Sequence, residues 1–232
     1  MIEADIRGRI PEVVNSEDIL TATVFGMLKY APMRTSLEQF IGKATLYGNE
    51  LTFFHTVLHK VHLFEDEVKT LFWQYDEKFG VPDIILEGKD CAVVVEVKFK
   101  SDLHGKDQLR KYHALLMQRY PEKSHKHVIY LTRDLSYPEQ DTEVTQGIEK
   151  NLWWLSWYEL YGVLEQMKTN DSVGRELCED LKRFLIHREL YLFRGITVPE
   201  ILPQEHFFWN DTIPLITEYD FIPKVSVFFW RE

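Results

Sequence analysis

The amino-acid sequence predicts an α/β fold with a mixed β-sheet flanked by helices. An amphipathic segment with helical spacing is followed by three short segments of strand composition, and then by a second helical segment and a fourth strand. The predicted core order is therefore helix, three strands, helix, strand. In that order, the segments are residues 17–30, 70–75, 82–86, 91–99, 102 or 106 to 120, and 126–131.

The first core helix carries signals for both of its ends. Asn15 or Ser16 can cap it, and the acids Glu17 and Asp18 suit the positive end of the helix dipole. Pro32 helps to end the helix. An apolar stripe at helical spacing is formed by Leu20, Val24 and Leu28.

Residues 91–99 are predicted to form a central strand that is covered on both faces. The segment is nearly all apolar apart from Glu96 and Lys98, and strands buried on both faces have such continuous apolar runs. Residues 87–90 have turn composition and separate it from residues 82–86, so the two segments can pair as a hairpin. The helix that follows is expected to stop at Pro121.

Further elements are predicted outside this core. One helix is expected over residues 52–63, and two more over residues 152–167 and 171–193. Residues 224–230 are a candidate terminal strand. The chain is therefore expected to divide into a core, residues 1–150, and a helical, aromatic-rich C-terminal extension, residues 151–232, that packs on the core.

Composition limits the classes of protein to consider. The 232 residues are 45% hydrophobic and 14% aromatic, enough to bury a substantial core. Cys91 and Cys178 lie far apart and lack metal-ligand spacing, which favours a reduced, cytoplasmic setting. Because the N-terminus lacks signal-peptide features and no apolar run reaches membrane-spanning length, a soluble protein without membrane contact is expected.

The charge is acidic overall but unevenly distributed. A net charge of -10 argues against a surface that binds nucleic acid all over. Between Glu96 and Val128, however, eight basic and four acidic residues give a net charge of +4. This window is either a solvated helix face or a strip that faces phosphates, and its sequence leaves both interpretations open.

Two acids and a lysine are predicted to meet near the end of the central strand. Side chains alternate between the faces of a strand, so Glu96 and Lys98 point the same way and Val97 points the other way. In the hairpin, Asp83 can join them. Two carboxylates suit Mg²⁺, with the Val97 carbonyl as a candidate third ligand and Lys98 to orient water or offset charge. The alternative is a buried Glu96–Lys98 salt bridge, or an edge strand with a solvated polar face.

The pairing of Pro82-Asp83 with Glu96-Val97-Lys98 resembles the PD-(D/E)xK nuclease superfamily. The resemblance covers residues 15–132 and implies the restriction-endonuclease-like fold, whose core has the element order predicted above. It says little about the C-terminal hundred residues.

The same resemblance implies two supporting residues. Many members carry an acid on the first core helix that completes the metal site, and Glu17 stands in the matching place, although the resemblance does not distinguish it from the adjacent Asp18. Many also carry a glutamine that faces the site from the helix after Glu-x-Lys, and Gln108 matches it. Tyr112 lies one helical turn after Gln108 on the same face.

These observations lead to the hypothesis of a Mg²⁺- or Mn²⁺-dependent nuclease that hydrolyses DNA phosphodiester bonds. The catalytic residues would be Asp83, Glu96, Lys98 and Gln108, and the metal ligands Glu17, Asp83, Glu96 and Val97. The basic strip that positions DNA would be Lys100, Lys106, Arg110 and Lys111. The alternative is a catalytically silent nuclease-like fold that acts as a nucleic-acid-binding or protein-interaction module. A homodimer or a protein partner is a further expectation.

Histidines form two other clusters. His55, His59 and His62 recur at helical spacing, which could present a zinc site. A polar helix face is the favoured interpretation, because three ligands within two turns rarely converge on one ion. Residues 125–127, with the sequence His-Lys-His, lie where the strand predicted over residues 126–131 begins, and a solvated loop is favoured over a set of metal ligands there.

The tryptophan-rich segment at residues 153–158 is the remaining candidate. It could stack nucleic-acid bases, but a buried seam at helical spacing is favoured. A glycine-rich phosphate loop, a Gly-x-Ser-x-Gly elbow and a Cys–His pairing are missing from the sequence, so nucleotide triphosphate hydrolysis and acyl transfer have no support.

Overall fold

The computed structural model describes residues 16–99, 107–135 and 146–191, and they form a mixed seven-stranded sheet with helices on both faces. The strands are β1 (Thr45–Leu46), β2 (Asn49–Phe53), β3 (Lys69–Phe72), β4 (Ile84–Glu87), β5 (Cys91–Val97), β6 (His125–Thr132) and β7 (Leu152–Ser156). The helices are α1 (Ser16–Leu28), α2 (Arg34–Gly42), α3 (His55–Val61), α4 (Gln108–Arg119), α5 (Tyr158–Gln166) and α6 (Ser172–His187).

The strand order across the sheet is β2-β1-β7-β6-β5-β4-β3. Strands β3, β4 and β5 are antiparallel neighbours, whereas β5, β6 and β7 run parallel, and β1 and β2 close the other edge as an antiparallel pair. Helix α1, strands β3 to β5, helix α4 and strand β6 reproduce the predicted order. The predicted α/β fold class, with its order of core elements and its mixed sheet, is confirmed.

Two hydrophobic cores cover the two faces of β5. Val93, Val95 and Val97 pack with the apolar residues of α1 in one core, and Ala92 and Val94 pack with those of α4 in the other. Every residue of β5 is buried, as predicted for a central strand. The valine-rich sequence fits this position because branched side chains pack well on a pleated surface with helices on both sides.

Helix α1 agrees with its prediction to within two residues at its C-terminal end. A 3-10 turn at Ala31–Met33 follows it, with Pro32 in its first turn. Helix α4 is confirmed over Gln108–Arg119. Its two candidate starting residues, 102 and 106, lie outside the described residues, as does the predicted strand at 224–230.

Two predicted helices are wrong in their first residues. The segment 52–63 ends strand β2 before α3 begins at His55, and the segment 152–167 begins with β7 before α5. Residues 152–156 have the sequence Leu-Trp-Trp-Leu-Ser, an apolar run too short for its period to separate strand from helix. Parallel pairing of Leu152–Ser156 with β6 decides for the strand.

The solvated loop predicted at residues 125–127 is also wrong. These residues begin β6, and Lys126 and His127 are buried. His127 packs edge-on against Phe54 and Trp153, and its Nδ1 accepts a hydrogen bond from Trp153 Nε1 at 3.3 Å. Burial, followed by the charges of the neighbouring histidines, lowers its pKa to about 3.

The predicted tryptophan seam is buried, on a strand and its flank rather than along one helix. Trp153 lies in β7, and Trp157 is fully buried between Phe25 and Phe40. Aromatic rings in such edge-on and stacked pairs stabilise a core beyond their buried area. In the ranges that the structure describes, no helix has the length and apolarity to cross a membrane.

Candidate active site

Asp83 and Glu96 lie opposite each other on neighbouring strands. Ile84 pairs with Val95 across β4 and β5, so one further step in this antiparallel register places Asp83 opposite Glu96. Asp83 Oδ2 accepts a hydrogen bond of 2.8 Å from the backbone N–H of Val97. The hairpin geometry expected from the sequence therefore brings the two acids together at the end of β5.

Lys98 lies between two carboxylates. Its Nζ is 2.7 Å from Glu96 Oε1 and 3.5 Å from Glu17 Oε1, and its side chain is only 6% exposed. Its backbone N–H donates to the Leu131 carbonyl at 2.8 Å, which continues the β5–β6 pairing one residue past β5. The lysine is held by both its backbone and its ammonium group.

Glu17 reaches the same region from the N-terminal turn of α1, but on the far side of Lys98. Its Oε2 accepts a hydrogen bond from the Phe99 backbone N–H at 2.9 Å, while its Oε1 faces Lys98. The adjacent Asp18 is exposed. In the described part of the chain, no three His, Cys, Asp or Glu side chains are grouped to hold a metal ion. The metal-ligand role of Glu17 therefore stays a prediction.

Gln108 and Tyr112 connect helix α4 to the acids. Gln108 Nε2 donates to Glu96 Oε1 at 2.7 Å and to the Tyr112 hydroxyl oxygen at 3.2 Å. The Tyr112 hydroxyl donates to the Val81 carbonyl at 3.0 Å. Residues 108 and 112 share a helix face, so one helix supplies a chain of hydrogen bonds that holds the Glu96 carboxylate from one side.

Burial is the main influence on the acids. Burial first, and then the charge of Asp83, raise the pKa of Glu96 to about 8 against the opposing effect of Lys98. Burial also raises the pKa of Asp83, against the lowering effects of the Val97 N–H and of Lys98. The two carboxylates compete for ionisation, so the pair retains a proton at a pH where ordinary carboxyl groups have lost theirs.

Lys98 and Tyr112 keep their protons. Burial lowers the pKa of Lys98, but the carboxylates of Glu96, Glu17 and Asp83 outweigh it and raise the pKa above its ordinary value. Burial, then the Glu96 charge, raises the pKa of Tyr112 to about 12. Lys98 therefore acts as a fixed positive charge and a hydrogen-bond donor, and a role as a general base does not suit it.

The donor set fits a hard divalent cation. Glu96 Oε2 is buried and accepts no hydrogen bond from another donor group of the described residues, so it is satisfied either by a proton shared with Asp83 or by a cation. Mg²⁺ prefers oxygen ligands and is commonly held by one or two carboxylates while it keeps several waters. Asp83 and Glu96 meet this requirement, and the Val97 carbonyl stays a predicted third ligand.

The basic strip is only partly described. Lys100 and Lys106 lie outside the described residues. Lys111 is exposed and forms an ion pair of 2.7 Å with Asp107 one helical turn before it. Arg110 is half-buried, and its Nε has no hydrogen-bond partner in the described regions. The nucleic-acid-binding role of the strip stays a prediction.

The candidate histidine face is interrupted. Helix α3 ends at Val61, and His62 follows it with a left-handed φ of 48°, in contact with Glu65. His55 lies against the ring of Phe53, and nothing is described of the His59 side chain. The helical spacing that suggested zinc therefore does not extend through His62.

The backbone partners of the site could not be recognised from the sequence. The Val97 and Phe99 N–H groups and the Val81 carbonyl each bind one of its side chains. A backbone group contributes to any site only through its position, which no residue pattern reports. Tyr112 was visible as the neighbour of Gln108 at helical spacing, although its link to Val81 was not.

Comparison with known proteins finds similar solved structures but no similar family or curated protein. No family model and no curated protein matches the chain. A repair endonuclease from Pyrococcus abyssi is similar with a TM-score of 0.28 and 23% identity over 44% of this chain and 43% of its own. The small subunit of the heterodimeric restriction endonuclease R.BspD6I is similar with a TM-score of 0.26 and 12% identity, over 53% of this chain and 76% of the subunit. The matched part thus spans less than half of the repair endonuclease.

Proposed function

We propose that this chain is a nuclease that uses Mg²⁺ or Mn²⁺ to hydrolyse DNA phosphodiester bonds. The observation that carries the proposal is the buried Glu96 carboxyl group with the half-buried Asp83 next to it, beside the charged Lys98. Two adjacent acids in such a setting are unfavourable when both are ionised and become favourable when a cation binds. Perturbed acids of this kind are typical of functional sites.

Each residue has a distinct task. Asp83 and Glu96 would hold the metal, with the Val97 carbonyl beside them. When bound, the metal polarises a phosphoryl oxygen and lowers the pKa of a coordinated water. Lys98 is protonated and fixed in place, so it can orient the attacking water and offset negative charge that develops on the phosphoryl group. Gln108 holds the Glu96 carboxylate in position, and Tyr112 holds Gln108.

A second candidate is a catalytically silent nuclease-like module that binds nucleic acid or protein. It is favoured by the short contact between Lys98 and Glu96, 2.7 Å, and by Glu17 on the other side of the same ammonium. These are also the contacts of a buried structural ion pair. Metal binding separates the two candidates, because the module has no need of a cation between Asp83 and Glu96.

The test is cleavage of labelled single-stranded and double-stranded DNA with Mg²⁺, with Mn²⁺ and with a chelator. We expect cleavage only with metal, and a loss of about 100-fold or more in Asp83→Asn and in Lys98→Met. Calorimetric titration with Mn²⁺ should give binding to wild type and none to Asp83→Asn. Metal-independent cleavage, or unchanged activity in both variants, would contradict the assignment.

Matched controls use neighbouring charges outside the site. Asp18→Asn removes an exposed acid next to Glu17. Lys43→Ala removes an exposed lysine directly after helix α2, 4.0 Å from Glu159. Both should keep wild-type activity. Glu17→Gln tests the remaining predicted ligand: if Glu17 only supports Lys98, metal affinity stays and activity falls, whereas a ligand role lowers both.

A further inference from the structure

The loop between β3 and β4, residues 73–81, presents aromatic side chains beside the candidate site. We call it the aromatic loop. Trp73 is 40% exposed and Tyr75 is 73% exposed, so both rings are accessible to a ligand. Neither residue belongs to the predicted catalytic set or to the basic strip.

The aromatic loop is fixed to the site at both ends. The Trp73 N–H donates to the Asp83 carbonyl at 3.1 Å, and the Val81 carbonyl accepts from the Tyr112 hydroxyl at 3.0 Å. Asp83 is the candidate metal ligand itself, and Tyr112 supports Gln108. A displacement of either end of the loop would therefore displace groups of the site.

The tip of the loop is ordered by its own hydrogen bonds. Asp76 and Gly80 exchange two backbone hydrogen bonds of 2.9 Å, and Gly80 has a left-handed φ of 92°. Asp76 Oδ1 accepts from the N–H groups of Lys78 and Phe79. These contacts make a small closed turn, so Tyr75 is presented by a defined backbone and pays little ordering entropy when it binds.

Trp73 lies in the same row of the sheet as the acids. Phe72 pairs with Ile84 across β3 and β4, and the next step in that register places Trp73 opposite Asp83, which is itself opposite Glu96. Two strand spacings separate the backbones of Trp73 and Glu96 by about 10 Å. That distance suits a nucleotide next to the phosphate under attack.

The backbone of Trp73 has a left-handed φ of 45°. This conformation is unfavourable for a bulky residue and usually persists at functional sites, where the surroundings hold it in place. Its ring lies 5.5 Å from the ring of Phe72. The ring of Trp73 is partly open to solvent at this position.

Two cations lie near the aromatic loop. Lys29 Nζ lies 5.9 Å from the ring centroid of Phe72, the residue directly before the loop, whose ring adjoins that of Trp73. Arg119, at the end of α4, donates to the side chain of Gln74 at 3.1 Å. The exposed acid of the loop is Glu77. Aromatic rings with cations at their edge are the chemistry that binds single-stranded nucleic acid, through base stacking and phosphate contacts.

We infer that the aromatic loop binds unpaired bases of the DNA strand whose phosphate occupies the candidate site. Trp73 stacks on the base nearest the cleaved bond and Tyr75 on a neighbouring base. A base inside a duplex is already stacked on both faces, so a ring can take it only from a single strand or an opened end. The inference rests on the nuclease function proposed above and narrows its substrate to DNA with unpaired bases at the cleaved position.

Binding is measured by fluorescence anisotropy with labelled single-stranded and duplex oligonucleotides in a chelator, so that no cleavage occurs. We expect Trp73→Ala and Tyr75→Ala each to weaken single-strand binding by about 5- to 100-fold. Trp73→Phe should keep most of the affinity, and duplex binding should be unchanged. The matched control is Phe53→Ala, which removes a 37% exposed ring at the opposite edge of the sheet.

Salt dependence identifies the kind of contact. Loss of stacking should leave the slope of log Kd against log salt unchanged, whereas Lys29→Ala should reduce it by about 1. Wild-type affinity in both alanine variants, an equal loss for single-stranded and duplex DNA, or no single-strand binding by wild type would each overturn the role of the loop. Circular dichroism checks that each variant is folded.

Cleavage measured separately with metal distinguishes the two levels of the proposal. If Trp73-dependent single-strand binding persists without any cleavage, the nuclease function fails and the role of the loop stands. If duplex DNA is cleaved while Trp73→Ala has no effect on either DNA form, the role of the loop fails and the nuclease function stands.

Discussion

Replacement of Glu96 by glutamine should change how the stability of the metal-free protein depends on pH. The folded-state pKa of Glu96 is about 8, against an ordinary value of 4.5. Between these values the folded state binds more protons than the unfolded state, so stability falls as the pH rises. Glu96→Gln cannot ionise and should not show this loss.

The magnitude follows from the size of the pKa difference. At about 1.36 kcal/mol for each pH unit, the full difference corresponds to about 5 kcal/mol, and up to about 4 kcal/mol of it falls between about pH 5 and pH 8. Asp83 acts in the same direction, because burial raises its pKa too. His127 acts in the opposite direction below about pH 6.5, since its folded pKa is lowered. The difference between variant and wild type cancels the contribution of His127.

The assay is urea unfolding of wild type and Glu96→Gln at several pH values in a chelator. We expect the variant to gain on wild type steadily as the pH rises, with the larger stability at about pH 8. Mg²⁺ or Mn²⁺ at 100 times its Kd should narrow the difference at about pH 8, because it stabilises folded wild type alone by about 2.7 kcal/mol. A flat difference between the two proteins from about pH 5 to pH 8 would refute the reasoning.

Further expectations concern single residues elsewhere. Gly88→Ala should lower the free energy of unfolding by about 1–3 kcal/mol, because the added Cβ would lie 2.4 Å from the Leu63 carbonyl oxygen. Gly26→Ala should raise the free energy of unfolding by about 0.5–1 kcal/mol, because Gly26 lies in a helix and its added Cβ would meet nothing within 4 Å. Urea unfolding measures both changes. Gln108→Leu removes a donor to the site, and kcat for DNA cleavage should fall about 5- to 100-fold with little change in KM. His127→Phe should flatten the loss of stability below about pH 6.5, which acid unfolding measures.

The centre of the site could be predicted because short-range rules determine it. A tight turn fixes the pairing of two adjacent strands, and the period of two then places Asp83, Glu96 and Lys98 together. The helical period does the same for Gln108 and Tyr112. These rules need no knowledge of distant contacts.

Features that depend on distant partners could not be predicted. Whether Glu17 faces a metal or the Phe99 N–H depends on how α1 crosses the end of β5, which is decided by packing. His127 has a polar sequence environment, but Phe54 and Trp153 enclose it from other elements. The conformation of Trp73 depends on its hydrogen bond to Asp83, across a strand pair.

The arrangement of charged groups distinguishes a metal-binding site from a structural salt bridge. A structural pair joins one acid to one base, and its main requirement is that neither is left unpaired. Here two acids, Asp83 and Glu96, lie next to each other, and Glu96 has a pKa of about 8 even though the Lys98 ammonium is 2.7 Å away. Ionisation of both acids lowers stability, and selection for stability alone would remove one of them. A bound cation would turn the repulsion between the two acids into binding energy, and this supports the proposed nuclease over the silent module.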